Sequence, residues 1–127
     1  RESLETISMR CRLAAIDLVG AFLDDAEKLW SMARPQGEGS SWPFPADEDR
    51  TLDWSRDIET LDRITRAFGK FESFAEIDGR RVYVQDAVFW KESHAHKPGD
   101  IVWRANKETL IAAKDGFCCI RFTDGAE

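Results

Sequence analysis

Apolar residues recur at spacings of three and four, or their multiples, through Leu4, Ile7, Cys11, Ala14, Leu18, Phe22 and Leu29. That is the period of a helix with one apolar stripe. Ser3 stands where an N-cap hydroxyl is needed, and Pro35 forbids continuation much past Ala33. The stripe has to be buried, either on the rest of the chain or on a further domain. A second helical face, Ile58, Leu61, Ile64 and Phe68, follows Ser55 and Asp57, either of which can cap it. Gly69 can close that helix in a left-handed conformation. The period then shortens. The stretches SFAEI and RVYVQDAVFW flank Asp78-Gly79, a strong hairpin signal. DIVWRA, TLIAAK and GFCCIRF follow, with turns at Pro98-Gly99, Asn106-Lys107 and Asp115-Gly116. One helix followed by about five short strands outlines an α+β domain built on a small closed or half-closed barrel.

Between the helices runs RPQGEGSSWPFPADEDR, rich in Pro, Gly and Ser and then acidic. It reads as a linker that runs extended, with Trp42 and Phe44, set among prolines, pinned into a surface. The expected organisation is an N-terminal helix over 1–34, a linker over 35–50 and a small β domain over 51–127. With 127 residues the chain has room for one domain and a helical appendage. The apolar run LAAIDLVGAFL is interrupted by Asp17 and followed by Asp24-Asp25, so no membrane span is expected. The chain opens RESLETISMRC, without an initiator Met or a basic-then-apolar pattern. No signal peptide is expected there, and the opening reads as the start of a fragment.

Charge narrows the partners. The net charge is −6, with 6 basic and 10 acidic residues through Arg50 and 12 and 14 after it. Neither part offers the basic surface that releases counterions from nucleic acid. Arg63, Arg66, Lys70, Arg80 and Arg81 fall close together, but acidic neighbours break the run into a solvated rim. Cys11 lies in a helical pattern. Cys118 and Cys119 are adjacent in a strand, one facing in and one out, so no disulfide framework is expected, and reduced thiols point to an intracellular protein.

The stretch from Leu52 to Phe122 resembles the C-terminal domain of the formyltransferase family that uses 10-formyltetrahydrofolate, which includes methionyl-tRNA formyltransferase. LDW precedes the helix and RAF ends it. EIDG, KPGDIVWRAN and AAKDGFCCI follow in the family's order and spacing. The resemblance implies an OB-like barrel, and it makes the preceding stretch the last helix of a catalytic domain followed by an interdomain linker. The family positions Asp53, Trp54, Arg66, Pro98, Gly99, Asp115 and Gly116 are expected to be structural. Asp53, Trp54 and Arg66 read as a cap, a packed indole and a carboxylate partner or helix-end cation. RAFGKFESF departs from the family's Pro-rich turn at that point and leaves the acceptor open.

The family places catalysis in an N-terminal domain with an Asn-x-His pair. The single asparagine, Asn106, follows both histidines, so that pair cannot be formed here. No catalytic, cofactor-binding or metal residue is expected in this chain, and 10-formyltetrahydrofolate would belong to the full-length enzyme. His94 and His96 could share a face of an extended strand and hold a metal, but two more ligands would be needed, and a loop is the favoured reading. The expected partners are a catalytic domain in cis and a small amine acceptor, in the cytoplasm. The competing readings are a tRNA-directed half of such an enzyme, an OB-type module for single-stranded nucleic acid, and a structural or dimerising domain.

Overall fold

The computed structural model describes residues 2–70 and 72–124. The chain divides into two compact units, one up to Phe44 and one from Pro45 onward.

The first unit is helical. Helix α1 spans Leu4–Asp24, and the Ser3 hydroxyl accepts the Thr6 backbone N–H at 3.3 Å, the cap expected there. The single helix foreseen to Ala33 is broken at Asp25, which turns the chain with φ −155° and ψ 73°. Its carboxylate then caps a second helix, α2 (Ala26–Ser31), by accepting from Lys28 N at 3.0 Å. An aspartate competes well for backbone N–H groups, so Asp25 starts a new helix instead of continuing the old one. None of the α1 residues is buried. The large apolar side chains from Leu4 to Leu23 are 45–77% exposed. At 100° per residue the predicted stripe of Leu4, Ile7, Cys11, Leu18 and Phe22 forms one side. Met9, Leu13, Ile16 and Leu23 form a second apolar face on the opposite side. Trp42 and Phe44, expected to be pinned, are each 86% exposed.

The second unit is α+β. It contains α3 (Asp47–Arg50), β1 (Thr51–Leu52), α4 (Ile58–Phe68), β2 (Phe74–Ile77), β3 (Arg80–Lys91), β4 (Ile101–Ala105), β5 (Glu108–Ala113) and β6 (Gly116–Asp124). The six strands pair in the order β1-β2-β3-β6-β5-β4, with β1 parallel to β2 and the other pairs antiparallel. The hydrogen-bonded ladder does not close on itself; β1 and β4 are its edges. Side chains link the two ends instead. Arg104 on β4 donates to the Asp78 carboxylate, in the β2–β3 turn, at 2.9 Å. At the β1 end, Trp54 donates its indole N–H to the Glu76 carbonyl on the neighbouring strand β2 at 3.3 Å. A Cβ built on Gly99, just before β4, would lie 3.5 Å from the same indole.

Helix α4 packs its predicted stripe inward. Ile58, Leu61 and Ile64 are buried with Val82, Val84, Ile111, Ala113, Cys118 and Ile120 from the sheet. Asp57 supplies the cap, accepting from Thr60 N at 2.8 Å, and Gly69 ends the helix at φ +74° and ψ −165°. That region is open only to glycine. The Asp78-Gly79 turn has both residues at positive φ, +53° and +72°, as a two-residue hairpin needs. Phe71, in the segment that departs from the family's turn, lies outside the described residues.

Candidate functional site

The β5–β6 turn and the start of α4 form one joint. The Asp115 carboxylate accepts the Ile58 backbone N–H at 2.8 Å, so the first helical donor is satisfied from 57 residues away. The same carboxylate lies 3.8 Å from the Lys91 ammonium, and the Asp115 carbonyl accepts from Glu92 N at 3.2 Å. A Cβ on Gly116 would fall 2.1 Å from the Trp90 carbonyl oxygen and 2.9 Å from Ile58 Cγ1. Only a residue without a side chain lets β3 and α4 approach this closely.

His94 belongs to this joint. Its Nε2 lies 3.0 Å from the Gly116 carbonyl, and its ring lies 4.5 Å from that of Phe117. A carbonyl only accepts, so Nε2 carries the proton of that bond. Nδ1 is buried and has no partner among the described residues. His94 thus lies in a loop, the reading the sequence favoured, and there acts as a half-buried strut that ties the segment after β3 to the start of β6. His96 is exposed, with its ring 5.9 Å from that of His94. Among the described residues no group of three or more His, Cys, Asp or Glu could hold a metal ion.

The other family positions fall at separate points. Trp54 is half-buried against the Pro98-Gly99 turn, where Gly99 has φ +93° and donates to the Ala112 carbonyl at 2.8 Å. Pro98 itself is exposed. Asp53 accepts from the Ser55 N–H at 3.0 Å and hydroxyl at 2.7 Å, closing a local turn one step before the helix that Asp57 caps. The Ser55 hydroxyl, then its N–H, holds the Asp53 carboxyl below the usual carboxylate range. Arg66 donates to Asp62 at 3.0 Å, one turn back along α4. Thus Asp115, Gly116, Ile58 and His94 meet, Trp54 and Gly99 meet, and Asp53 and Arg66 stand apart.

Cys118 is buried in the core, and burial pushes its thiol well above the ordinary range. Cys119 is half-buried on the opposite face, its thiol also raised by burial. Neither is a thiolate poised for attack. The sequence marked Asp115-Gly116 as a turn but not as a joint, because the contacts that matter are with Ile58 and Trp90, far away along the chain. The one available signal was Asp-Gly followed at once by an uninterrupted apolar strand.

Residues 46–124 match the family of the formyl transferase C-terminal domain. Methionyl-tRNA formyltransferase of Stenotrophomonas maltophilia (strain K279a) is 33% identical over 88 residues, which are 67% of this chain and 26% of the relative. The same enzyme of Marinobacter nauticus is 26% identical over 106 residues, 83% of this chain and 30% of the relative. The chain therefore spans less than a third of these relatives. Among solved structures, a variant of HypX from Aquifex aeolicus superposes with a TM-score of 0.64 at 23% identity, over 84% of this chain and 19% of HypX. HypX in complex with tetrahydrofolic acid superposes at 0.62 and 22% identity, over the same shares. At that identity the likeness is one of fold. With the family match covering more than half of its length, the chain belongs to the formyl transferase C-terminal domain family.

Proposed function

We propose that this chain is the C-terminal accessory region of a 10-formyltetrahydrofolate-dependent formyltransferase, where it braces the catalytic domain in cis and positions an amine acceptor. The observation that carries this reading is α1. A helix apolar on two opposite sides calls for cover on both, and its large side chains stand exposed in this chain. In this reading residues 1–34 are the last helix of the catalytic domain, 35–50 the linker and 51–127 an OB-like half-barrel. The Arg104–Asp78 bond and the approach of Trp54 to Gly99 support the half-barrel. Free cysteines and the absence, among the described residues, of any helix long and apolar enough to cross a membrane support a cytoplasmic location.

Formyl transfer needs a base for the attacking amine and donors for the formyl oxyanion. His94 is committed to the Gly116 carbonyl, and the thiols are raised. No step is assigned to these residues, and the folate belongs to the catalytic domain. A small amine, such as an amino sugar or amino acid, is favoured over tRNA. The net charge is −6, and carboxylates pair with Arg50, Arg81 and Arg121. The test is an assay of the isolated chain with 10-formyltetrahydrofolate and a panel of amines. No turnover is expected. Turnover that survives repurification and disappears in His94→Ala would contradict the reading.

A further inference from the structure

On the core side of the sheet, where the β4–β5 turn approaches the middle of β3, lies a cavity of about 350 Å³. That is within the size range of small-ligand sites, roughly 300–1,000 Å³. We propose that it binds a small organic oxyanion: a phosphate or carboxylate group carried on a flat or apolar body.

The lining argues for this chemistry. Phe122 supplies an apolar, half-buried wall, and Thr109, only 1% exposed, lies behind it. Gln85 enters from β3 at the one register shift in the β3–β6 ladder, between Val84 and Asp86. A bulge at that place re-aims a side chain that regular pairing would have sent elsewhere. Asn106 takes φ +56° in the two-residue β4–β5 turn, which sets Lys107 on the rim. Among the described residues no carboxylate lines the cavity.

Two cations give the cavity its sign. Arg104 is held in place by Asp78 through one nitrogen at 2.9 Å, which leaves further N–H groups of its fork for a second oxyanion. Lys107 has no ion-pair partner among the described residues and adds an uncompensated charge. A fork fixed by its own carboxylate, a free ammonium and neutral hydrogen-bonding side chains around an aromatic wall make a site for one anionic head and one flat body. This site stands whether or not the chain braces a catalytic domain, since every group belongs to the second unit.

The experiment is a ¹⁵N NMR titration of the full chain with phenyl phosphate, benzoate and, as the neutral control, benzyl alcohol. Phenyl phosphate or benzoate at millimolar concentration is expected to move the amides of Gln85, Lys107, Thr109 and Phe122, and the tighter of the two identifies the oxyanion. Benzyl alcohol should leave them in place. Lys107→Gln, an exposed change that leaves the fold intact, should weaken binding about tenfold. Lys97→Gln, outside the cavity, should not alter it. The proposal is overturned if neither anion moves these amides, if benzyl alcohol binds equally well, or if Lys107→Gln leaves the affinity unchanged.

Discussion

The Asp115 carboxylate accepts the backbone N–H of Ile58 at 2.8 Å, so the first turn of α4 is capped by the turn between β5 and β6. A local cap would stabilise the helix alone. This one fixes the helix to the strand that carries Cys118 and Ile120, and those side chains complete the core around Leu61.

Asp115→Ala should therefore destabilise the second unit by about 1–2 kcal/mol, the usual loss for a removed helix cap. Urea denaturation followed by tryptophan fluorescence reads it. A midpoint equal to that of the parent chain would show that water replaces the carboxylate without loss.

Trp54→Ala should lower stability by about 2–3 kcal/mol. That is less than the roughly 3–5 kcal/mol of a fully buried large aromatic, because the indole is only half-buried. Trp54→Phe should recover most of this, losing chiefly the bond to the Glu76 carbonyl. If both variants match the parent, the indole does not hold the sheet edge to the Pro98-Gly99 turn.

Acid should unfold the second unit through depressed carboxylates. The hydrogen bond from Arg50, then that from Arg81, lowers the Asp47 carboxyl; the Ser55 hydroxyl lowers Asp53; the Thr60 backbone N–H lowers Asp57. Each folded value lies below the unfolded one, so the stability they supply is present above the ordinary carboxylate range and is lost as pH falls through the lowered values, below about pH 4. The denaturation midpoint is expected to drop as pH falls below the ordinary carboxylate range of about 4. Salt should erase most of the Asp47 share, because that pair is exposed. A midpoint that rises as pH falls there would show that the sign is wrong.

Nucleic acid should bind weakly. Tyr83 packs against Phe74 at a ring distance of 5.0 Å and Phe89 is half-buried, so the exposed strand aromatics among the described residues are Trp90 on β3 and Trp103 on β4, strands that are not neighbours in the sheet. Arg81 lies 3.8 Å over the Phe74 ring and also pairs with Asp47. Fluorescence anisotropy with tRNA or single-stranded DNA should give a Kd of about 10⁻⁴ M or weaker at physiological salt. Micromolar binding with a steep salt slope would put the tRNA-directed reading first.

Local pattern carried much of the second unit. The Ile58–Leu61–Ile64 stripe, Gly69 and the Asp78-Gly79 turn each act on near neighbours and are legible from spacing alone, whereas spacing left the cap open between Ser55 and Asp57. β1 was not legible, because two residues, Thr51 and Leu52, cannot show an alternation, and they become a strand only by pairing with Phe74 and Ala75. The break at Asp25 was hidden because the apolar residues keep the same period on both sides of it. The joint at Asp115, Gly116 and His94 was hidden for a different reason. Its partners are Ile58, Trp90 and Phe117, and no local signal marks a contact with a helix start 57 residues away. The family resemblance located these positions without saying what each one touches.

The most direct test of the accessory role is reconstitution in trans. The catalytic segment that the proposed reading places in the same reading frame would be produced without these residues, and formyl transfer to an amino sugar, an amino acid and methionyl-tRNA measured with and without this chain. Adding the chain is expected to raise kcat/KM for a small amine. Leu18→Glu and Leu13→Glu, on opposite faces of α1, should each abolish the gain. Unchanged kinetics on adding the chain, or a gain untouched by both substitutions, would contradict the account.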